Sequence, residues 1–181
     1  MIVVVDNGSV YTKSIIDFLK TTGIKFDQFG FDEIAITDFE RYSSIILSGR
    51  RKNIPKMNVI NANIIKHAVK NQKPLLGICY GAEILALTLG GTIKKMEDSR
   101  HGIHKVDVIK DNPLCTGQID AFESHSYMVS KLDSCFSKLA KSSRCEFELF
   151  QLTNHNIFGT QFHPEMSEDG KNLLEKFITI Q

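Results

Sequence analysis

The sequence lacks the long apolar runs and the one-sided charge that mark several broad classes of protein. No apolar stretch is long enough to cross a bilayer, which excludes a helical membrane protein. The apolar run at residues 2–5 is short and has no basic segment before it, so it predicts a buried strand and not a signal peptide. Lys and Arg number 22 against 21 Asp and Glu, a net charge of +1 with no basic block for nucleic acid. We therefore expect a cytoplasmic protein with no membrane or nucleic-acid partner.

The cysteines show none of the pairings that a zinc site or a disulfide framework requires. The chain has no C-x-x-C pair and no cysteine–histidine spacing that suits zinc, and a cytosolic chain of this size is not expected to form disulfides. A G-x-x-x-x-G-K-[ST] loop is also absent, so we predict no metal, cofactor or ATP site in this chain. Cys79 has unusual neighbours, whereas the other three cysteines have the surroundings of ordinary small apolar residues: Cys115, Cys135 and Cys145.

The first half of the chain alternates strands and helices at short range, which predicts a parallel sheet with helices on both faces. The second half predicts short strands, partly antiparallel, before a last helix. With no repeat, linker or low-complexity tract, residues 1–181 are predicted to form one α/β domain. The predicted strands are 2–5, 24–29, 44–47, 74–78, 105–110, 146–152 and 157–161, and the predicted helices are 11–22, 59–69, 80–89 and 168–180.

Residues 77–81 have the form G-x-C-x-G between a predicted strand and a predicted helix. In this context the glycines allow the tight turn that lifts a nucleophile out of a sheet. Cys79 would lie at the N-terminus of the helix, where free N–H groups and the helix dipole favour the thiolate. The backbone N–H of Tyr80 would point to the place where an oxyanion forms. We interpret Cys79 as a nucleophile rather than as a buried cysteine in a glycine-rich turn.

A cysteine nucleophile needs a base and a group that orients the base. His163 follows the apolar run 157–161 directly and stands in the sequence F-H-P-E. The carboxylate of Glu165, two residues on, can hold the second imidazole nitrogen and stabilise the imidazolium. We therefore predict His163 as the base and Glu165 as its orienting partner. Among the other histidines, His67 is predicted on a helix surface and His155 in a hairpin turn, while His101 and His104 are left open.

Together, G-x-C-x-G and the later F-H-P-E resemble the motifs of the class I (triad) glutamine amidotransferases over essentially the whole chain. The resemblance implies a flavodoxin-like α/β fold and a catalytic triad of Cys79, His163 and Glu165. A closer resemblance is to the glutaminase of GMP synthase in its free-standing subunit form. The segments that carry this closer resemblance are 5–12, 46–49, 77–81, 101–106, 123–125 and 159–165.

The family resemblance also implies an activity and a partner. Glutamine would be hydrolysed to glutamate and ammonia, with oxyanion donors at Tyr80 and at the loop of Gly49 and Arg50, and with main-chain contacts from Ser126 and Tyr127. Ammonia is useful only if it is captured, and this chain has no ATP-binding loop. The implied partner is a separate ATP-pyrophosphatase-type synthetase subunit, carrying ATP and Mg²⁺, that converts xanthosine monophosphate to GMP.

Two positions depart from the family pattern. The family usually has S-G-G-P at the oxyanion loop, where this chain has arginine at positions 50 and 51, and glycine permits backbone angles that Arg50 resists. The family usually reads C-x-G-x-Q, and that glutamine contacts the substrate, whereas this chain has Glu83. An ionised glutamate cannot donate a hydrogen bond and places negative charge near a thiolate. Either change would lower activity, restrict it to an activated complex or shift the substrate.

Three other hypotheses therefore remain open. The first is an amidotransferase subunit of the anthranilate or aminodeoxychorismate type, although that subgroup usually has leucine and histidine where this chain has Tyr80 and Ala82. The second is a hydrolase acting on γ-glutamyl compounds with the same triad, in which Glu83 would belong to a different substrate pocket. The third is a non-catalytic regulatory module on the same scaffold, motivated by Arg50 and Glu83.

Overall fold

The computed structural model describes residues 1–33 and 36–180. Within these ranges the strands are β1 Ile2–Asn7, β2 Phe26–Gly30, β3 Ser44–Arg50, β4 Leu75–Ile78, β5 Thr92–Val108, β6 Gln118–Lys131, β7 Phe136–Lys141, β8 Leu149–Leu152 and β9 Ile157–Thr160. The helices are α1 Thr12–Thr22, α2 Pro55–Lys70, α3 Tyr80–Thr88 and α4 Glu168–Thr179, with short 3₁₀ turns at Ile36–Arg41 and Pro164–Met166. No helix in the described ranges is long and apolar enough to cross a membrane.

The strands form one mixed sheet in the order β2-β1-β3-β4-β9-β8-β7-β5-β6. The five strands from β2 to β9 pair in parallel, and every pairing from β9 to β6 is antiparallel. Because β1, β3, β4 and β9 are parallel neighbours, their carboxyl ends meet at one edge of the sheet. The α/β, flavodoxin-like class predicted from the sequence is confirmed.

Helices cover both faces of the parallel strands. On one face, α1 and α4 bury apolar side chains such as Leu19 and Phe177 against alternate strand residues such as Ile46. On the other face, α2 and α3 do the same with Ile64 and Leu85. The parallel strands are buried on both faces, which explains why they read as continuous apolar runs in the sequence.

The antiparallel section is where the sequence-based strand assignment was incomplete. The predicted strand at 105–110 covers only the end of β5, while β6 and β7 were not predicted. Along the 17 residues of β5 only Arg100 and Val106 are buried, so the hydrophobic alternation that signals a strand is absent there. Hydrogen bonding to β6 over twelve residue pairs holds this segment instead. The predicted strand 146–152 was also too long, since β8 starts at Leu149.

We expect the core contact between α4 and the sheet to be needed for folding. Phe177 is fully buried, and its ring packs edge-to-face on Phe158 with 6.5 Å between the ring centroids. Phe177→Ala should lower the free energy of unfolding by about 3–5 kcal/mol, since it leaves a cavity in a packed core. Urea denaturation measures this loss. As a control, Val59→Ala, at a residue that is 61% exposed, should change the value by less than about 0.5 kcal/mol. Equal losses in the two variants would contradict the expectation.

Candidate active site

The predicted site residues meet at the carboxyl edge of the parallel strands. Cys79 follows β4 directly, and His163 comes three residues after β9, which pairs with β4. The end of β3 brings Gly49 close to His163, because a Cβ atom added at Gly49 would lie 3.1 Å from Cε1 of the imidazole. Ligand sites in open α/β sheets occupy this edge.

The turn at Cys79 is held in an unusual conformation by close backbone packing. Cys79 has φ +51° and ψ −103°, and its N–H donates to the Thr160 carbonyl at 2.7 Å. A Cβ atom at Gly77 would lie 2.4 Å from the Gly81 carbonyl oxygen, and one at Gly81 would lie 2.5 Å from the Leu47 carbonyl oxygen. Both motif glycines are therefore required by the close approach of α3 to the sheet, and Cys79 is left at the N-terminal end of α3.

His163 contacts both Cys79 and Glu165. Its Nδ1 lies 2.8 Å from Oε1 of Glu165, and both side chains are almost fully buried. Tyr11 packs on the imidazole with 4.6 Å between ring centroids. The backbone N–H of His163 donates to the Phe122 carbonyl at 2.7 Å. Glu165 and Tyr11 thus hold the ring, and the bond to Phe122 holds the backbone that carries it.

The charge of His163 depends on its two partners. Burial lowers the pKa of His163, but the charges of Cys79 and Glu165 and their hydrogen bonds to the ring outweigh burial and hold that pKa well above its usual value. The site therefore favours an imidazolium beside the sulfur atom, the arrangement that cysteine nucleophiles use.

The other cysteines have different surroundings. Burial raises the pKa of Cys115 to about 11, and burial also raises the pKa values of Cys135 and Cys145. The raised pKa values favour the thiol form in all three side chains, and Cys115 and Cys145 are buried as structural cysteines generally are.

Arg50 does not strain the loop that follows β3, contrary to the concern raised by its replacement of glycine. The non-glycine residues with positive φ in the described ranges are Gln72, Cys79 and Asn154, so Arg50 keeps the extended backbone of β3. Its guanidinium carbon lies 4.2 Å from the centroid of the Tyr80 ring, a cation–π contact. Arg50 thus lies over the residue that follows Cys79.

Asn58 on α2 ties this arginine and tyrosine together. Its Oδ1 accepts from the Tyr80 hydroxyl at 2.8 Å and from Nη1 of Arg50 at 3.2 Å. Burial raises the pKa of Tyr80 to about 12, so the phenol keeps the proton that it donates. None of these partnerships was predicted from the sequence.

A cavity of about 240 Å³ opens beside Cys79. Glu83, one turn along α3 from the cysteine, is only 5% exposed, and burial raises the pKa of its carboxyl group. Nε2 of the buried Gln161 donates to Glu83 at 3.4 Å. The cavity brings together most of the predicted substrate contacts; its lining is Arg50, Arg51, Asn53, Cys79, Tyr80, Glu83, Ser124, His125, Ser126 and Tyr127.

Sequence reasoning missed a buried polar network beneath the site. The Asn7 side chain donates to the Ser48 carbonyl at 3.0 Å, and the amides of Asn7 and Asn61 exchange hydrogen bonds at 2.7 and 3.2 Å. This network joins the ends of β1 and β3 to α2. An asparagine on the apolar face of a predicted helix, as at Asn61, was the available signal for it.

One group of side chains in the described ranges has the geometry to hold a metal ion: Glu123, His125 and Glu148, whose ligand atoms lie within 4.8 Å of one another. Nε of Arg100 lies 3.2 Å from Glu123, and its Nη1 lies 3.8 Å from Glu148. The arginine thus already supplies a positive charge between the two carboxyl groups, so the group is an ion-pair cluster as it stands.

Comparisons with known proteins agree with this geometry. A family model described as glutamine amidotransferase class-I matches residues 3–180. Among curated proteins, the "GMP synthase [glutamine-hydrolyzing]" of Shigella boydii and that of Salmonella typhimurium are each 28% identical to this chain over 192 residues. The matches cover 98% of this chain but 36% of each relative, so the chain spans little more than a third of their length.

Solved structures give the same assignment. A protein of Thermoplasma acidophilum that is proposed to be one of the subunits of a GMP synthase has a TM-score of 0.88 and 28% identity, covering 98% of this chain and 91% of its own. A glutamine amidotransferase of Thermotoga maritima has a TM-score of 0.76 at 20% identity, covering 98% of this chain and 81% of its own, and supports the fold alone. The resemblance inferred from the sequence motifs is confirmed.

The raised pKa of His163 can be tested by removing each partner. Cys79→Ala and Glu165→Gln should each lower that pKa, because burial continues to oppose the charge while one attraction is lost. Imidazole NMR signals followed through pH measure the shift, and Cys115→Ala serves as the matched buried-cysteine control.

The raised pKa of His163 also predicts how stability depends on pH. It stabilises the folded state fully below the unfolded-state pKa near 6.5, and this stabilisation is lost as pH rises through the folded-state pKa. The stability deficit of Glu165→Gln should therefore be larger at pH 6 than at alkaline pH; an unshifted His163 in both variants would contradict the assignment.

Proposed function

Since the chain belongs to the class I glutamine amidotransferase family, we propose that it hydrolyses glutamine to glutamate and ammonia with Cys79, His163 and Glu165 as its triad. The observation that carries this proposal is the strained turn that holds Cys79 at the start of α3, with His163 beside it and Glu165 2.8 Å from the far side of the imidazole. This order of sulfur, imidazole and carboxylate supports the proposed roles of nucleophile, base and orienting group.

The proposed reaction has two halves. The Cys79 thiolate attacks the side-chain amide carbon of glutamine, and His163 gives its proton to the nitrogen as the C–N bond breaks and ammonia leaves. Water then attacks the thioester while His163 takes one of its protons, and breaking the C–S bond releases glutamate. In both halves the oxyanion would be stabilised by N–H groups of Tyr80 and of the loop of Gly49 and Arg50.

The cavity beside Cys79 is the proposed glutamine site. Main-chain atoms of Ser126 and Tyr127 would hold the α-amino and α-carboxylate groups, and Glu83 would contact the substrate from α3. A protonated carboxyl group offers a donor as well as an acceptor, as a glutamine amide does, although the amide has a second N–H; burial favours the protonated form of Glu83. Glu83 can then replace the glutamine that the family usually has here.

The proposed partner is a separate synthetase subunit that binds ATP and Mg²⁺ and uses the ammonia to convert xanthosine monophosphate to GMP. Two matches support this partner. The region that matches this chain is 36% of the length of the Shigella boydii GMP synthase, whereas the T. acidophilum protein is matched over 91% of its chain. The rest of the reaction would then lie on another polypeptide.

Glutamate release from glutamine tests this function. The wild type should release glutamate, with a higher rate when an ATP-binding GMP synthase partner, ATP and xanthosine monophosphate are added. Cys79→Ala should lose at least about a thousandfold in kcat, because the thioester cannot form. The matched control Cys115→Ala should retain the wild-type rate.

Three outcomes would redirect the assignment. Activity with γ-glutamyl peptides but not with free glutamine would indicate a hydrolase of γ-glutamyl compounds. Glutamine hydrolysis that responds only to an anthranilate- or aminodeoxychorismate-type partner would change the pathway. If neither the wild type nor Cys79→Ala releases glutamate, and a glutamine-analogue electrophile does not label Cys79, a regulatory module would be favoured.

Glu83→Gln tests the role of the protonated carboxyl group. The variant should match or exceed the wild-type kcat/KM at every pH, because its amide keeps a donor that Glu83 loses on ionisation. Since burial raises the pKa of Glu83, the wild type loses the proton only as pH rises through that value, and the advantage of the variant should grow in the same direction. Steady-state kinetics from pH 6 to 9 measure the ratio; a ratio that falls with pH would overturn this role.

A further inference from the structure

The antiparallel hairpin carries a buried charge cluster next to the glutamine cavity. We call Arg100, Glu123, His125 and Glu148 the Glu123 cluster; all four residues are at most 8% exposed. They come from β5, from β6 and from the residue before β8. The proposed reaction uses none of them directly. Buried charges are costly unless they are paired, so the cluster requires an explanation.

His125 connects this cluster to the cavity. Its Nδ1 lies 2.8 Å from the Tyr127 carbonyl oxygen, and its Nε2 lies 2.8 Å from Oε2 of Glu123. A carbonyl oxygen can only accept, so Nδ1 carries a proton and donates it to Tyr127. The imidazole itself lines the cavity with Cys79 and Glu83.

Glu123 is the member of the cluster that contacts both Arg100 and His125. Nε of Arg100 contacts Oε2 of Glu123 at 3.2 Å, and the same oxygen is hydrogen-bonded to Nε2 of His125. Burial, reinforced by the charge of Glu123, raises the pKa of the Glu148 carboxyl group. Glu123 thus holds the imidazole through Nε2, while the Tyr127 carbonyl holds it through Nδ1.

The bond from His125 fixes the backbone that follows it. Ser126 and Tyr127 come directly after the imidazole in sequence, and Tyr127 is 43% exposed at the cavity, so its ring gives little support. A hydrogen bond to the Tyr127 carbonyl sets the orientation of the peptide groups on either side of it. These are the peptide groups that the proposed function assigns to glutamine.

We propose that Glu123 is a positioning residue for glutamine binding, acting through His125 to fix the main chain of Ser126 and Tyr127. The proposal rests on the function given above. It makes Glu123 a determinant of glutamine affinity with no part in the chemical steps, which depend on Cys79 and His163.

The test compares two variants at position 123. Glu123→Leu removes the acceptor at similar volume and should raise KM for glutamine about tenfold, roughly one lost hydrogen bond, with kcat within about twofold of wild type. Glu123→Gln should restore most of the affinity, because its amide can still bond to Nε2 of the imidazole. Glu148→Gln, an acid-to-amide change in the same cluster with no bond to His125, should leave KM unchanged.

A double-mutant cycle separates this role from general destabilisation. His125→Phe removes both ring donors and should raise KM as Glu123→Leu does, and the double variant should be no worse than His125→Phe alone. If Glu123→Leu does not fold, His125→Phe alone carries the test, because it should raise KM while Glu148→Gln should not. An unchanged KM in folded Glu123→Leu, or effects that multiply in the double variant, would overturn the proposal.

A readout without turnover keeps the proposal distinct from the proposed function. Backbone NMR signals of residues 126–128 should shift in Glu123→Leu and stay in place in Glu148→Gln. If the wild type does not hydrolyse glutamine, the function fails while these shifts still report on the positioning. If the wild type is active and the signals do not move, the positioning role fails alone.

Discussion

The close approach of α3 to the sheet is the constraint on which the site depends. Gly77 and Gly81 leave no room for a Cβ atom, since each would bring it within 2.5 Å of a backbone carbonyl oxygen. The helix can therefore begin almost immediately after β4, and Cys79, midway between the two glycines, takes up the strain of the turn with φ +51°. Cys79 is consequently set by backbone packing, before any side-chain partner contributes.

The two walls of the site are stabilised by different kinds of interaction. The wall formed by β1, β3, β4 and β9 rests on apolar cores on both faces of the parallel strands. On the opposite wall, β5 buries little apolar surface and is held to β6 by cross-strand hydrogen bonds and by ion pairs around Arg100. The apolar wall thus carries Cys79, Glu83 and His163, while the polar wall carries Ser126 and Tyr127.

Part of the fold and of the candidate site could be predicted because the sequence signals for it were local. The apolar runs, the helical spacing and the motifs around Cys79 and His163 involve residues close together in the chain, and the structure has strands, helices and neighbouring side chains where they predict them. Arg50 over Tyr80 and Glu123 behind His125 could not be foreseen in the same way. Arg50 and Tyr80 meet only through strand and helix packing, and Glu123 is held by Arg100, which comes from the other strand of the β5–β6 hairpin.

The position of β9 has a consequence for how the protein is made. β9 lies between β4 and β8, although it is the last strand to be synthesised. Until residues 157–163 leave the ribosome, one edge of β4 has no partner, and Cys79 has neither its backbone acceptor at Thr160 nor the imidazole of His163. Domains form only when their long-range pairings are available. A nascent chain that stalls before this point exposes an apolar strand edge, which calls for chaperone protection, but carries no assembled thiol–imidazole pair.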